Sequence, residues 1–182
     1  MIDRKALWAV ERDAIPDPDG PRGAVLRSVA DAVEEQLGGD LVAELAALPA
    51  SAPIGAAARA WHGSPVSDVR SFLPTPAPDE SELLGAVTEE RLVFGHTHLP
   101  FRRIALRPDG PPVELVNPGS VGLPFDGDRR AAYALLHDDG RVEHVRLPYD
   151  HAAAIAGVQA LAGDAPWGGF VAAALDRATF PS

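Results

Sequence analysis

The chain contains no cysteine, no long apolar run and no cluster of positive charge. Without cysteine, disulfides, thiolate metal ligands and a cysteine nucleophile are excluded, so a metal ion would have to be held by imidazole, carboxylate or amide oxygen. No stretch approaches the roughly 20 consecutive apolar residues that span a bilayer, and the N-terminus lacks the apolar segment of a signal peptide. We therefore expect a cytoplasmic protein with no membrane partner.

The charge balance argues against nucleic acid as a general partner. The formal net charge is -10 at pH 7, with 16 lysine and arginine residues against 26 aspartate and glutamate residues. The arginines are scattered among acidic residues, so no basic patch offsets the repulsion from a polyphosphate backbone. We expect no general nucleic-acid binding.

The chain does have enough apolar sequence for one compact domain. Its 182 residues are 46% hydrophobic and 23% charged, which is typical of a globular domain with its own core. We expect a single domain over residues 1–182, mainly helical over 1–50, rich in strands over 54–148, and helical again over 150–180.

Helices are predicted at both ends of the sequence. Apolar residues recur at helical spacing over 26–37, and Gly38-Gly39 ends this first helix. A second helix begins at Asp40, a good N-cap, and ends before Pro49. Alanine-rich sequence beyond residue 150 predicts further helix, interrupted around 163–166.

The middle of the chain predicts strands. Small apolar residues over 54–61 indicate one buried strand, and the apolar run 91–94 indicates a second that ends at Gly95. Two hairpins follow, with turns at Pro108-Asp109-Gly110 and Asp138-Asp139-Gly140. Their strands are expected at 101–106 with 113–116, and at 131–136 with 142–147.

Three histidines directly follow the first two of these strands. His62 lies in His-Gly-Ser-Pro, and His96 and His98 lie in Gly-His-Thr-His. Strands fix the position of side chains at their ends, and histidines at i and i+2 of an extended loop can reach in a common direction. The pair therefore suits two neighbouring metal positions. Any one of them alone would be interpreted as a hydrogen-bonding loop residue, which is our interpretation of His137, His144 and His151.

Several stretches, in a fixed order, carry a family resemblance. They are Trp-His-Gly-Ser-Pro at 61–65, Leu-Val-Phe-Gly-His-Thr-His-Leu-Pro-Phe at 92–101, a segment that begins Leu-Val-Asn-Pro-Gly-Ser at 115, and Leu-Pro-Tyr-Asp at 147–150. Together they resemble the C-terminal portion of the calcineurin-like metallophosphoesterases, in their bacterial branch. The resemblance implies an α/β fold, the C-terminal half of an αββα sandwich with a mixed sheet flanked by helices. It also implies hydrolysis of phosphomonoesters or phosphodiesters by a two-metal mechanism.

The resemblance implies roles for particular residues. His62 and His96 would ligate one divalent metal ion and His98 the other, with Mn, Fe, Zn and Co all possible. The loop that contains Asn117, Gly119 and Ser120 would lie beside the metal site and support the histidines or contact substrate; a tight turn after an edge strand is the alternative. Of Arg102 and Arg103, one could face a substrate phosphate, although exposure to solvent is expected for at least one.

The chain departs from the family pattern in its carboxylates. The family's Asp-x-His, Gly-Asp-x-x-Asp and Gly-Asn-His-Asp motifs are missing, and the opening Met1-Ile2-Asp3 resembles only the tail of the last. No catalytic residue is therefore assigned. Two close divalent ions need carboxylates to offset their repulsion, so we expect no stable two-metal site in this chain alone. Three imidazoles can hold one zinc ion, but in the family His98 faces a different metal.

Three hypotheses about function remain. The first is a metal-dependent phosphoesterase whose missing portion is encoded upstream or lies on an N-terminal half-chain; the chain alone would then be inactive or weak. The second is a non-catalytic binding or regulatory module derived from such an enzyme. The third is a fragment whose exposed sheet edge requires a partner chain or another copy of itself. The three histidines in glycine-rich settings favour the first.

Overall fold

A computed structural model of the chain describes residues 20–180, so the opening Met-Ile-Asp segment lies outside the described residues. The described residues form two compact units. The helical unit comprises residues up to 49 together with 152–173, and the sheet unit comprises 50–151 together with residues from 174 onwards. The expected single domain over 1–182 stays a prediction.

The helical unit contains α1 and most of two later helices. Helix α1 (Pro21–Ala46) is kinked at Gly38, whose φ of 73° and ψ of 158° interrupt the helical backbone. Glycine adopts a positive φ without the Cβ clash that other residues meet, which explains why the predicted break falls there. None of the helices within residues 20–180 combines the length and apolarity needed to cross a membrane.

The sheet unit is built on a five-stranded mixed sheet in the order β1-β2-β3-β5-β4. Strands β2 and β3 are parallel, as are β3 and β5, whereas β1 and β4 are antiparallel edge strands. The bounds are β1 Ser51–Ile54, β2 Ala58–Trp61, β3 Arg91–Phe94, β4 Phe101–Ala105 and β5 Val113–Asn117. A short helix, α2 (Glu80–Leu84), precedes β3.

A second sheet of two antiparallel strands follows, β6 (Ala131–Leu136) and β7 (Val142–Leu147). The chain then continues into α3 (His151–Ala162) and α4 (Pro166–Arg177). Both hairpins predicted from their turn residues, β4–β5 and β6–β7, are confirmed by their antiparallel pairing.

The single strand predicted over 54–61 is wrong, because the chain reverses within it. Strands β1 and β2 form a hairpin in which Ile54 pairs with Ala58 and Ala52 with Ala60. The reversal includes Gly55, which has a φ of 65°. Because small apolar residues lie on both sides of Gly55, the hydrophobicity of the segment gives no sign of the turn.

The core of the sheet unit lies around the central strands. Leu92 and Phe94 of β3 are buried on alternate positions, and Phe72 packs on Phe94 with ring centroids 4.9 Å apart. The remaining members of this cluster are Leu83, Leu84, Ala105, Val113 and Leu115. Strands β2, β3 and β5 are paired in parallel beside this core, so their carboxyl ends meet at one edge of the sheet.

Candidate metal centre

The loops after β2, β3 and β5 leave the sheet at the same edge. Trp61 and Phe94, the last residues of β2 and β3, are paired in the parallel register. One residue further on, the Gly95 N–H donates to the His62 carbonyl oxygen over 2.8 Å. The ladder therefore extends into the loops and places His62 beside His96.

His62 and His96 converge through their ring nitrogens. The distance from His62 Nε2 to His96 Nδ1 is 3.4 Å, and the ring planes are 75° apart. Two nitrogens bound to one tetrahedral zinc ion are separated by about 3.4 Å, given a Zn–N bond of about 2.0–2.1 Å. A long hydrogen bond between one protonated and one unprotonated nitrogen has a similar separation. The pair therefore fits two ligands of a single ion, as well as a direct histidine–histidine contact.

His98 has a separate set of partners. Its Nδ1 lies 2.7 Å from the Leu123 carbonyl oxygen, and its ring stacks on Phe125 with centroids 4.7 Å apart. Because a carbonyl oxygen can only accept, Nδ1 carries the proton. In the neutral ring Nε2 is then the unprotonated nitrogen, and an Nδ1–H bond to a backbone carbonyl is a common way of orienting a metal-binding histidine.

Burial favours the neutral form of two of these imidazoles. It lowers the pKa of His96, and the positive charges that His62 and His98 can carry lower it further. Burial also lowers the pKa of His98, although the hydrogen bond to Leu123 opposes the change. Neutral imidazole is the form that binds a metal ion, so both effects favour binding.

The loop backbone is not extended, contrary to the sequence-based expectation. His96 and His98 have φ angles of 63° and 57°, in the left-handed region, and the Thr97 N–H donates to the Gly95 carbonyl oxygen over 2.7 Å. Such backbone costs a non-glycine residue about 1–2 kcal/mol. Hydrogen bonds from outside the loop are therefore needed to hold it in place.

Asn117 supplies those hydrogen bonds from the end of β5. Its side chain is fully buried, and its Nδ2 donates to the Gly95 carbonyl oxygen over 2.8 Å and to Thr97 Oγ1 over 3.0 Å. These contacts hold the Gly95 backbone carbonyl and the Thr97 side chain, one on each side of His96. The Asn117 carbonyl oxygen in turn accepts a hydrogen bond from His144 Nε2 over 2.8 Å.

Gly119 and Ser120 continue this support. The Gly119 N–H donates to Asn117 Oδ1 over 2.9 Å, and the Ser120 Oγ accepts from the Leu123 N–H over 3.0 Å. The Ser120 carbonyl accepts from the Ala132 N–H at the start of β6 over 2.9 Å. The loop thereby positions Leu123, whose carbonyl orients His98. These contacts support the interpretation of the loop as a buttress for the histidines.

The two arginines that follow the histidine pair have protein partners. Arg102 pairs with Glu114, whereas both terminal nitrogens of Arg103 bind the Glu80 carboxylate and its Nε donates to the Leu73 carbonyl oxygen. Both guanidinium groups therefore bind carboxylates of the sheet unit itself.

The remaining histidines lie away from the pair. His137 pairs with Glu143, and His151 contacts Arg129, as expected for hydrogen-bonding side chains. His144 differs from the expectation in lying on β7 rather than in a loop. Sequence reasoning missed its contact with Asn117, and no local signal indicates it, because the contact depends on how β7 lies beside the end of β5.

The described residues do not form a complete metal site by themselves. Across residues 20–180, no group of three or more histidine, cysteine, aspartate or glutamate side chains is arranged to hold a metal ion. His62 and His96 fit two positions around one ion, and His98 has an oriented ring of its own. A complete centre would need further ligands.

The fold is similar to those of two solved structures. The crystal structure of a metallophosphoesterase from Sphaerobacter thermophilus superimposes with a TM-score of 0.65 and 25% identity, covering 79% of this chain and 63% of that one. A hypothetical protein from Pyrococcus horikoshii OT3 superimposes with a TM-score of 0.55 and 22% identity, covering 69% of this chain and 51% of that one. The predicted α/β fold class is confirmed, and the fold is similar to that of a metallophosphoesterase.

Sequence comparison matches only a segment of this chain. No family model matches the chain. An uncharacterised protein from Methanocaldococcus jannaschii is 38% identical over 73 residues, which cover 32% of this chain and 29% of that protein. The chain therefore spans less than two thirds of the length of each of these proteins.

Proposed function

We propose that this chain contributes the histidine ligands of a metal-dependent phosphoesterase that hydrolyses phosphomonoesters or phosphodiesters. The observation that carries the proposal is the convergence of His62 Nε2 and His96 Nδ1 at 3.4 Å, at the carboxyl ends of parallel strands. In this proposal His62 and His96 hold one divalent ion and His98 a second. Bound divalent ions, whether Mn, Fe, Zn or Co, would polarise the phosphoryl group and activate water.

The chain's own contribution is to orient these ligands. Asn117 holds the turn around His96, and the Leu123 carbonyl keeps the proton of His98 on Nδ1. Ligands oriented in this way lose little freedom when they bind, and loss of such supporting contacts commonly weakens metal affinity by about 10- to 100-fold.

The carboxylate ligands must come from elsewhere. Two divalent ions held close together need negative charge between them. Within residues 20–180 no group of three or more ligating side chains is arranged to hold an ion, although the Asp68 carboxylate lies near enough to His96 to raise its pKa. We infer that the missing ligands lie outside residues 20–180, on a longer form of the protein or on a partner chain, either an N-terminal half-chain or a second copy. This chain corresponds in the proposal to the C-terminal portion of the bacterial enzymes, and is inactive or weak alone.

The first test measures metal binding by titrating Co²⁺ into the chain and following its visible absorption. The wild type is expected to bind, and His96→Ala to weaken binding about 10-fold or more, because one imidazole of the converging pair is removed. His137→Ala is the matched control, since this ring pairs with Glu143 and lies outside the site. Equal affinities for the wild type and His96→Ala would contradict the assignment.

The second test measures hydrolysis of a chromogenic phosphodiester with excess Mn²⁺. The chain is compared with a version that carries an Asp-x-His and Gly-Asn-His-Asp segment upstream, each with and without His96→Ala. Activity only in the extended form, abolished by His96→Ala, is the expected result. Activity of the short chain would show that external carboxylates are not essential. Inactivity of both forms would favour the binding or regulatory module.

A further inference from the structure

A pocket opens directly beside the histidine loop. It has a volume of about 400 Å³ and is lined by His96, Thr97, Leu99, Phe125 and Phe180. Small-molecule sites commonly measure about 300–1,000 Å³, so the space suits one ring system rather than a large ligand. His96 belongs to both the pocket and the converging pair, so a ligand could occupy the pocket while reaching the histidines.

Two phenylalanines form an aromatic wall that continues from the histidines. Phe125 stacks against His98 with the ring planes 26° apart, and its N–H donates to the His98 carbonyl oxygen over 3.4 Å. Phe180 meets Phe125 edge to face, with centroids 5.3 Å apart and planes 87° apart. Phe180 is 43% exposed and Phe125 is half-buried, so ring surface is accessible at the pocket.

The lining favours an uncharged ring. It consists of one imidazole, one hydroxyl, one leucine and two phenyl groups, with no carboxylate, ammonium or guanidinium among them. A charged group placed there would lose hydration without gaining an ionic partner, whereas an aromatic ring would stack and bury apolar surface. The histidines and the aromatic wall therefore suit the two parts of one molecule. Its phosphoryl group would lie at the histidines and its ring at the phenylalanines.

We infer that this pocket binds the uncharged aromatic group of a phosphoester, an aryl or nucleobase ring, while the phosphoryl group lies at the histidines. The inference rests on the proposed function and names its substrate class. Phe125 and Phe180 select the ring, and esters with small aliphatic groups bind more weakly.

The experiment is ligand-observed saturation-transfer NMR on the metal-free chain, with phenylphosphonate as the probe and methylphosphonate as the ring-free control. The phenyl protons are expected to receive saturation, and the dissociation constant of phenylphosphonate is expected to rise about 10-fold in both Phe125→Leu and Phe180→Ala. Phe180 is partly exposed, so its variant keeps the test valid if Phe125→Leu folds poorly. Leu106→Ala, which removes a 77% exposed apolar side chain outside the lining, should bind as the wild type does.

Absence of saturation at the phenyl protons, or equal affinity in the wild type and Phe180→Ala, would overturn the inference. The readout needs neither metal nor hydrolysis, so its failure is distinguishable from failure of the Co²⁺ titration. Adenosine 5′-monophosphate and ribose 5-phosphate, used as a second pair of probes, separate the two sources of the ring. Saturation of the adenine protons supports a nucleobase, whereas saturation of phenylphosphonate alone supports an aryl ester.

Discussion

Gly119, in the loop after β5, lies where there is no room for a side chain. Gly119 has a φ of 84°, and a Cβ at this position would lie 2.7 Å from Ala132 Cβ and 3.0 Å from Pro100 Cβ. Pro100 lies two residues after His98, and Ala132 belongs to β6. Gly119 thus allows the loop that supports the histidines to pack between two other segments.

Substitution of Gly119 tests this close approach against a matched glycine. Gly127 also has a φ of 84°, but a Cβ there would meet nothing within 4 Å. Gly127→Ala should therefore lower the unfolding free energy by about 1 kcal/mol, because alanine is strained in the left-handed backbone. Gly119→Ala adds steric overlap to this strain and should lower it by about 3 kcal/mol. Urea unfolding of both variants measures the difference. Equal losses of unfolding free energy would mean that the loop relaxes without cost.

At the scale of elements, an ion-pair cluster links the strands beneath the candidate site. Glu114 of β5 pairs with Arg91 of β3 and Arg102 of β4, and Arg91 Nη2 donates to the Gly140 carbonyl oxygen in the β6–β7 turn over 2.6 Å. Burial alone would raise the pKa of Glu114, but hydrogen bonds from both arginines, with their charges, outweigh it and lower the pKa. The cluster therefore stabilises the strand order while Glu114 is ionised.

Removing the charge of Glu114 should destabilise the sheet unit in a pH-dependent way. Glu114→Gln is expected to lower the unfolding free energy by about 1–2 kcal/mol at pH 7, at the lower end because Arg102 is half exposed to solvent. Because the folded pKa is depressed, the stabilisation is present above the ordinary value of 4.5 and is lost as pH falls through the folded pKa.

Urea unfolding at pH 7 and pH 3 measures this difference. The difference in unfolding free energy between the wild type and Glu114→Gln should be smaller at pH 3 than at pH 7. Glu143→Gln is the control, since its pair with Arg141 is exposed, and it should change stability much less. An equal difference in unfolding free energy at pH 3 and pH 7 would indicate that the substitution acts through packing rather than through charge.

At the scale of the whole molecule, burial is unevenly distributed between the two units. The apolar cluster around β3 and β5 is nearly inaccessible to solvent. Four large apolar side chains of α1 are substantially exposed, namely Val33 at 48%, Leu37 at 38%, Leu41 at 40% and Leu45 at 47%, and Leu48, just after the helix, is 64% exposed. Helices in proteins derive most of their stability from packing of an apolar face.

Amide hydrogen exchange should therefore be fastest in α1 and slowest in β3 and β5. Mass spectrometry of peptides from residues 21–46 and 91–117, recorded in dilute protein, measures the contrast. Equal protection in both peptides would contradict the expectation. Protection of α1 that increases with protein concentration would instead show its apolar residues covered by another copy of the chain, the homo-oligomer considered among the partners.

Much of the secondary structure could be predicted because its signals are local. The apolar run 91–94 and the turn residues Pro108-Asp109-Gly110 indicated β3 and the β4–β5 hairpin. The turn at Gly55 was missed because small apolar residues surround it on both sides. The left-handed backbone of His96 and His98 was missed as well, since it depends on hydrogen bonds from Asn117, about 20 residues further on.

The sequence by itself determined which chemistry is available: no thiolates, three histidines after predicted strands, an α/β fold and the motifs that resemble a metallophosphoesterase. Only the tertiary structure decided which side chains meet. His62 and His96 are 34 residues apart in sequence, and their nitrogens converge because β2 and β3 pair in parallel. The aromatic wall of Phe125 and Phe180 was equally hidden from the sequence. Periodicity reports the local backbone, whereas convergence depends on strand pairing and packing between distant segments, which no local pattern encodes.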